Sequence, residues 1–347
     1  MPLFGVNDYI PGIDSCLSLI DQASNFSPTK NEDVRRIEDF KLTKEIRRTA
    51  SMSMHLAYDK KEKSGGVTLL LYVKMGFQEQ MPLLKETTLL RTLKHKNIFE
   101  LYGTVHQVSV GRVYLSFEQC ECFLSNLLSD KHKELLEPSV IKCVMQQLLT
   151  GLQYLHDNKI VHRDINPKNI VFTEKGLLKL FNFRSSQTLN EYKKVSFAEE
   201  LCYQPINVLM EDDSFYTADD IWSATCVFAE MVLKKKLFES ILQGEVIKEI
   251  LLVLGFPDEN KWPEFLELPN YKYLSIETRP LKNWLCTFFE EKQCVDLVKR
   301  GLCYNPKQRI SAGELLLHPY FLEEPLAIDE KSFCLKLHGR GYEFPIK

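Results

Sequence analysis

No stretch of about 18 uninterrupted apolar residues occurs in this chain, which argues against a transmembrane helix. The opening segment, Met1 to Ile10, lacks the basic and apolar halves of a secretory signal, so export is not expected. Cysteine occurs ten times in 347 residues but without a framework, since only Cys120 and Cys122 stand close together. Reduced, buried thiols are the expected state, rather than a disulfide scaffold or a cysteine metal site. An excess of one charge is also missing. The formal net charge of −3 leaves no global pull toward nucleic acid or an anionic membrane. These absences describe an intracellular protein, cytoplasmic or nuclear, with neither nucleic acid nor membrane among its expected partners. There is no internal repeat and no low-complexity tract. The most local absence is glycine: the eleven residues from Lys44 to Met54 contain none.

What is present is the composition of an ordinary globular protein, 44% hydrophobic and 26% charged. Residues 1–36 show no clean period and read as an extension, partly disordered. From Asp39 to about Phe117 the pattern is short β-branched or aromatic runs, Val67 to Val73 and Val113 to Phe117, with one helical segment, Gln80 to Leu93, between them. After Glu118 the texture becomes helical. Val140, Val144, Leu148, Leu152 and Leu155 mark one apolar face, and further helical patterns run through Asp219–Val232, Gly244–Leu254, Cys294–Leu302 and Ala312–Leu317. A small β-rich lobe (about 37–118) followed by a larger helical lobe (about 119–321) is an α+β layout, with 322–347 as a C-terminal tail.

The segment His162-Arg163-Asp164-Ile165-Asn166-Pro167-Lys168-Asn169, followed by Ile170-Val171, carries the clearest chemistry. A carboxylate such as Asp164 can orient a hydroxyl nucleophile and accept its proton. Asn169, five residues on, offers an uncharged oxygen to a magnesium ion. The spacing resembles the catalytic loop of the protein kinases, and a match this long in register is specific. The resemblance implies a two-lobed kinase fold with ATP as phosphoryl donor and magnesium as its companion. It makes Lys74, which ends a strand-like run, the phosphate-binding lysine, and Glu86 the helix glutamate that pairs with it. It places Phe117, Glu118 and Cys120 beside the nucleotide at the hinge.

Later landmarks fall in the family's order. Asp220-Ile221-Trp222-Ser223 resembles the central helix whose aspartate holds the catalytic loop's backbone, and Asn305 to Ser311 the segment bearing the late buried arginine, Arg309. Leu254-Gly255-Phe256-Pro257-Asp258-Glu259 with Trp262-Pro263, Cys226 to Met231, and His318-Pro319-Tyr320-Phe321 resemble the cyclin-dependent kinases of the CMGC group. The resemblance spans about Asp39 to Phe321.

Several positions depart from it. Where the family has Asp-Phe-Gly, eighteen residues past Asp164, this chain has Asn182-Phe183-Arg184. Asn182 supplies no charge to a hard cation, so the metal site of Asn169 and Asn182 is weakened, and Arg184 lacks glycine's backbone freedom. Asn166 replaces the lysine that neutralises the transferring phosphoryl; Lys168 reads as a solvated lysine. The glycine-free segment replaces the loop whose backbone approaches the phosphates, and its Arg47 and Arg48 read as surface. Pro205-Ile206-Asn207 replaces Ala-Pro-Glu, so Arg309 must find another acceptor. Glu200 aligns where a threonine would bond the catalytic aspartate, Val195 and Ser196 stand near the activating threonine, and Phe123 replaces a ribose-binding acid. Only eleven residues separate Lys74 from Glu86, and Pro82 to Glu86 keeps a trace of the cyclin-contacting helix, which argues against a standard cyclin interface.

Two functions follow. One is a catalytically impaired or pseudokinase-like protein that binds ATP weakly and acts through protein partners. The other is a working Ser/Thr kinase of protein substrates with an atypical metal site. The number of departures favours the first. Downstream landmarks argue against a small-molecule kinase.

Overall fold

β-Branched and aromatic residues alternate with polar ones through the first third of the chain, and they fold as a six-stranded sheet. The computed structural model describes residues 35–339 apart from 51, 62–65, 73–76, 111, 130, 190–199, 275–287 and 290. The strands are β1 (Arg35–Arg36), β2 (Phe40–Arg48), β3 (Met52–Asp59), β4 (Gly66–Tyr72), β5 (Leu101–Gln107) and β6 (Arg112–Phe117), with helix α1 (Phe77–Thr92) between β4 and β5. Sheet order is β1-β5-β6-β4-β3-β2; β1 runs parallel to β5 and the other neighbours are antiparallel. Arg35 and Arg36, inside the segment read as extension, already pair with Val105 and His106.

The glycine-free segment forms a hairpin. β2 and β3 pair from Phe40↔Asp59 to Arg48↔Ser53, with register breaks at Leu42/Lys44 and Glu45/Arg47. Arg48 folds back on Glu45, Nε to Oε1 at 2.9 Å, as an exposed pair. Alternation on β4 separates two faces. Leu69 and Leu71 join Phe40, Ala57, Val105 and Tyr114 in one apolar cluster, while Thr68, Leu70 and Tyr72 take the other face. Helix α1 buries Leu83, Glu86, Thr87 and Leu90, spaced as one helical stripe.

Two compact units divide the chain: one holds the described residues up to Lys94 with Phe99–Cys120, the other His95–Ile98 with the described residues from Glu121 onward. The second unit contains β7 (Cys122–Phe123), α2 (Leu124–Leu127), α3 (Pro138–Asp157), β8 (Ile160–Val161), β9 (Ile170–Phe172), β10 (Leu178–Leu180), β11 (Gln187–Thr188), α4 (Ile206–Leu209), α5 (Thr217–Leu233), α6 (Gln243–Leu254), α7 (Lys292–Gly301), α8 (Ala312–Leu316) and α9 (Glu330–Gly339). Proline opens α3, where its missing N–H has no intrahelical partner to lose. Helix α5 is buried from Ala218 to Met231, its polar residues Asp219, Asp220, Ser223, Thr225 and Glu230 included. Among the described residues no helix is long and apolar enough to cross a membrane.

Past Phe321 the tail contains α9, which packs within the second unit. Phe333 meets Phe172 edge to face at 5.2 Å, the Ile328 N–H donates to the Ser139 carbonyl at 3.2 Å, and Lys336 bonds Glu137. Gly176 sits under it at φ +74°, where an added Cβ would meet the Glu330 carbonyl oxygen at 2.3 Å.

Arg309 finds its replacement acceptors inside this unit. Nη1 donates to the Ala218 carbonyl (2.7 Å), Nε to the Cys303 carbonyl (2.8 Å), and Nη2 to the Tyr304 carbonyl (3.2 Å) and Asn207 Oδ1 (3.5 Å). Asp219 lies 3.6 Å away as the charge partner, and Asn207 Nδ2 donates to the same carboxylate at 2.9 Å. Burial pushes the Asp219 carboxyl up to about 6 against the pull of Arg309, and pushes Arg309 down to about 10 against the pull of Asp219. Restoring the family's acid by Asn207→Glu is therefore expected to destabilise the fold by about 2–4 kcal/mol. It enlarges a fully buried side chain and sets a second carboxylate against Asp219. Thermal denaturation beside the wild type measures this; a raised midpoint would refute it.

Candidate active site

Strand pairing brings the catalytic-loop residues together. The antiparallel pair β9–β10 has Ile170 opposite Leu180, and the Phe181 N–H donates to the Asn169 carbonyl at 3.0 Å. Asn169, at the entrance to β9, therefore lies beside Asn182, at the exit from β10. A second pair, β8–β11, sets Val161 opposite Gln187 and anchors the start of the loop.

Asp220 fixes the loop's backbone from below. Its Oδ2 accepts the His162 N–H at 2.9 Å and its Oδ1 the Arg163 N–H at 2.8 Å, with His156 Nε2 also 2.9 Å from Oδ2. Burial pushes the Asp220 carboxyl up, but the bond and charge of His156, with His162, outweigh it and hold the group below its ordinary value. Arg163 takes a left-handed φ of +66°, a conformation that persists only where surroundings impose it. His162 is fully buried, and burial lowers its pKa. Its Nε2 faces the Phe181 carbonyl at 3.1 Å, and its Nδ1 accepts the Asp164 N–H at 3.3 Å, which fits one neutral tautomer.

The Asp164 carboxylate meets three asparagine amides. Asn166 Nδ2 donates to Oδ1 at 2.9 Å; Asn169 Nδ2 and Asn182 Nδ2 donate to Oδ2 at 2.6 and 3.2 Å. An ionised carboxylate only accepts, so each amide turns its NH₂ edge inward. Asn182 Nδ2 also donates to Asn169 Oδ1 at 3.2 Å. Two of these asparagines have a local reason to be there. Asn166 Oδ1 accepts the Lys168 N–H at 2.9 Å and so caps the short turn Pro167–Asn169. Asn182 holds φ +68°, which asparagine tolerates better than most residues.

The lysine of this loop is drawn elsewhere. Lys168 Nζ bonds Glu200 Oε1, and Lys236 Nζ stands 3.3 Å from Glu200 Oε2. Burial raises the Glu200 carboxyl, yet the bond from Lys168 and the charge of Lys236 hold it below its ordinary value. Lys168 is thus not simply solvated, and Glu200 is neutralised by two lysines rather than left as a bare charge beside Asp164.

Lys74 lies outside the described residues, as do Val195 and Ser196. Glu86 is fully buried on α1, and Tyr72 Oη donates to its Oε2 at 2.6 Å. Phe117 and Cys120 are fully buried; Phe117 stacks on Phe99 at 5.0 Å, and the Glu118 N–H donates to the Glu100 carbonyl at 3.1 Å. Phe123 is buried at the entrance to α2, where its N–H donates to Asn126 Oδ1 at 2.9 Å. Lys236 and Asp219 escape a reading of the sequence because their partners, Glu200 and Arg309, are distant along the chain.

Comparison with known sequences places these features. The pattern of the protein kinase domain matches residues 70–321. Cyclin-dependent kinase 11 of Dictyostelium discoideum is 32% identical over 297 residues, covering 84% of this chain and 82% of that protein. Cyclin-dependent kinase C-3 of Oryza sativa subsp. japonica is 35% identical over 268 residues, 72% of this chain and 80% of its own. Cyclin-dependent kinase 11B of Homo sapiens is 30% identical over 337 residues, 94% of this chain but 42% of the human protein.

Proposed function

This chain belongs to the protein kinase family and is cyclin-dependent-kinase-like within it, and from that premise we propose that its phosphoryl-transfer activity is lost or strongly reduced and that it works by binding other proteins. The kinase domain implies use of ATP and magnesium in general. One arrangement carries the narrower reading: Asp164, the residue that would accept the nucleophile's proton, is bonded by the amides of Asn166, Asn169 and Asn182.

A magnesium ion favours oxygen ligands, carboxylates above all. Asn169 and Asn182 turn N–H edges toward Asp164, and the Asn169 oxygen already accepts from Asn182. As arranged, this donor set does not fit the ion. Asn166 brings no cation to a transferring phosphoryl, and Lys168 is engaged with Glu200. The parts that serve folding are kept: Asp220 under the loop, and Arg309 in its cage of carbonyls. A protein that keeps its scaffold while its charges cancel internally suits a binding role. The relatives are cyclin-dependent by name, so a cyclin-like protein is the first partner class to test. The short run from Lys74 to Glu86 argues for a non-standard interface.

Retention of Asp164 and Asn169 favours the second reading, a Ser/Thr protein kinase with an atypical metal site. A thermal-shift titration with ATP, with and without magnesium or manganese, separates the two by mass action. The expected result is a weak shift that the metal does not enlarge. Affinity in the micromolar range that strictly requires magnesium would overturn the impaired reading.

A further inference from the structure

The Cys120 backbone N–H donates to Thr68 Oγ1 at 2.8 Å, and both residues are fully buried. A buried N–H needs a partner, and here the partner is a side chain from β4 rather than a ladder carbonyl. The neighbouring residues are fastened as well. The Glu118 N–H donates to the Glu100 carbonyl at 3.1 Å, and the Glu100 N–H returns a bond to Glu118 Oε1 at 2.9 Å. Gln119 lies so close to β4 that a Cβ on Gly66 would meet its Oε1 at 2.1 Å. Glu118 and Cys120 are thus each fastened by hydrogen bonds within the first unit, and at Cys120 the acceptor is a hydroxyl.

We infer that Thr68 competes with the nucleobase: its hydroxyl holds the Cys120 donor that would bond a ring nitrogen of adenine, so a purine enters only in exchange. The inference rests on reading Phe117–Cys120 as the base-binding side of a nucleotide site. It does not depend on the phosphate end, because adenosine has no phosphate and needs no metal. A hydroxyl on a β-branched residue suits the task. Valine has nearly the same shape without the acceptor, so Thr68→Val removes the competing bond while filling the same space.

Equilibrium binding of adenosine in metal-free buffer, measured by calorimetry on the full chain, tests this. Thr68→Val is expected to bind adenosine about tenfold more tightly than the wild type, equivalent to about 1.4 kcal/mol. Thr68→Ser, which keeps an acceptor, should match the wild type. Inosine carries hydrogen on the ring nitrogen where adenosine has a lone pair, so it should gain nothing from Thr68→Val. Equal adenosine affinity for wild type and Thr68→Val overturns the inference, and so does an equal gain for inosine, which would point to space rather than the donor. Should Thr68→Val not fold, the Cys120 amide of the wild type is read by NMR under saturating adenosine. Its resonance should move strongly, and an unchanged resonance with adenosine bound is the contrary result. Magnesium-dependent ATP binding by the wild type would refute the impaired-kinase reading and leave this metal-free comparison standing.

Discussion

Asp220→Ala is expected to lower the folding free energy by about 2–6 kcal/mol. The carboxylate accepts the buried N–H groups of His162 and Arg163, and each donor left unpaired costs about 1–3 kcal/mol. The same two bonds hold Arg163 in its left-handed conformation, so the loop above would relax as well. Against a typical total of about 5–15 kcal/mol, this is enough to deplete the folded protein in cells. Denaturant unfolding of purified protein measures it, and a loss below about 1 kcal/mol would show that the loop does not depend on Asp220. The informative partner is Asp164→Asn. Alanine at 164 would leave the buried amides of Asn166 and Asn169 only the Asp164 backbone carbonyl, at 3.2 and 2.8 Å, and would open a gap where the carboxylate stood, so it would perturb packing as well as chemistry. Asparagine keeps the shape and one of the two acceptor oxygens, and removes the charge. If the protein acts as a scaffold, Asp164→Asn retains partner binding and cellular phenotype, whereas Asp220→Ala weakens both. A null phenotype for well-expressed, folded Asp164→Asn would instead favour a working kinase.

Asn182→Asp should give the protein a response to magnesium without restoring turnover. The Asn182 amide donates to Asp164 Oδ2 at 3.2 Å, and a carboxylate in its place meets that oxygen as a like charge. Two unit charges at 4 Å interact by about 4 kcal/mol at an effective dielectric near 20. Partial protonation and solvent reduce the expected loss of stability to about 1–3 kcal/mol in metal-free buffer. Millimolar magnesium should recover that loss in the variant and leave the wild type unmoved. Phosphorylation should nevertheless stay far below ordinary kinase turnover of roughly 1–100 per second, because Asn166 brings no charge and Lys168 remains with Glu200. Two outcomes would refute this account: a variant as stable as wild type without metal, or one that reaches ordinary turnover.

The architecture was legible because its signals are periodic and local. The stripe from Val140 to Leu155 lies along α3, and Val67 to Val73 announced β4 within a residue at each described end. The loop from His162 to Asn169 was legible because its spacing is rigid. What the sequence left open was who neutralises whom. Arg309 needed an acceptor, but nothing in a linear reading selects Asp219, ninety residues earlier, over any other acid. Lys168 read as solvated because its partner, Glu200, lies beyond a long intervening segment. Asn166 and Asn182 read as deficits beside the family's charged residues. In the fold they are also hydrogen-bond donors to Asp164, and only the closure of β9 on β10 makes that visible.

Helix α9 bears on how this protein can be handled in pieces. A polypeptide cut after Phe321 would contain every residue of the kinase-domain match and still be an incomplete body. Without Phe333, which is fully buried, the aromatic face of Phe172 would open to water. Truncated molecules would then share an adhesive seam, inviting self-association at concentrations where the longer chain stays dispersed. Among the described residues the folded body reaches the end of α9, and recombinant fragments should be cut beyond it.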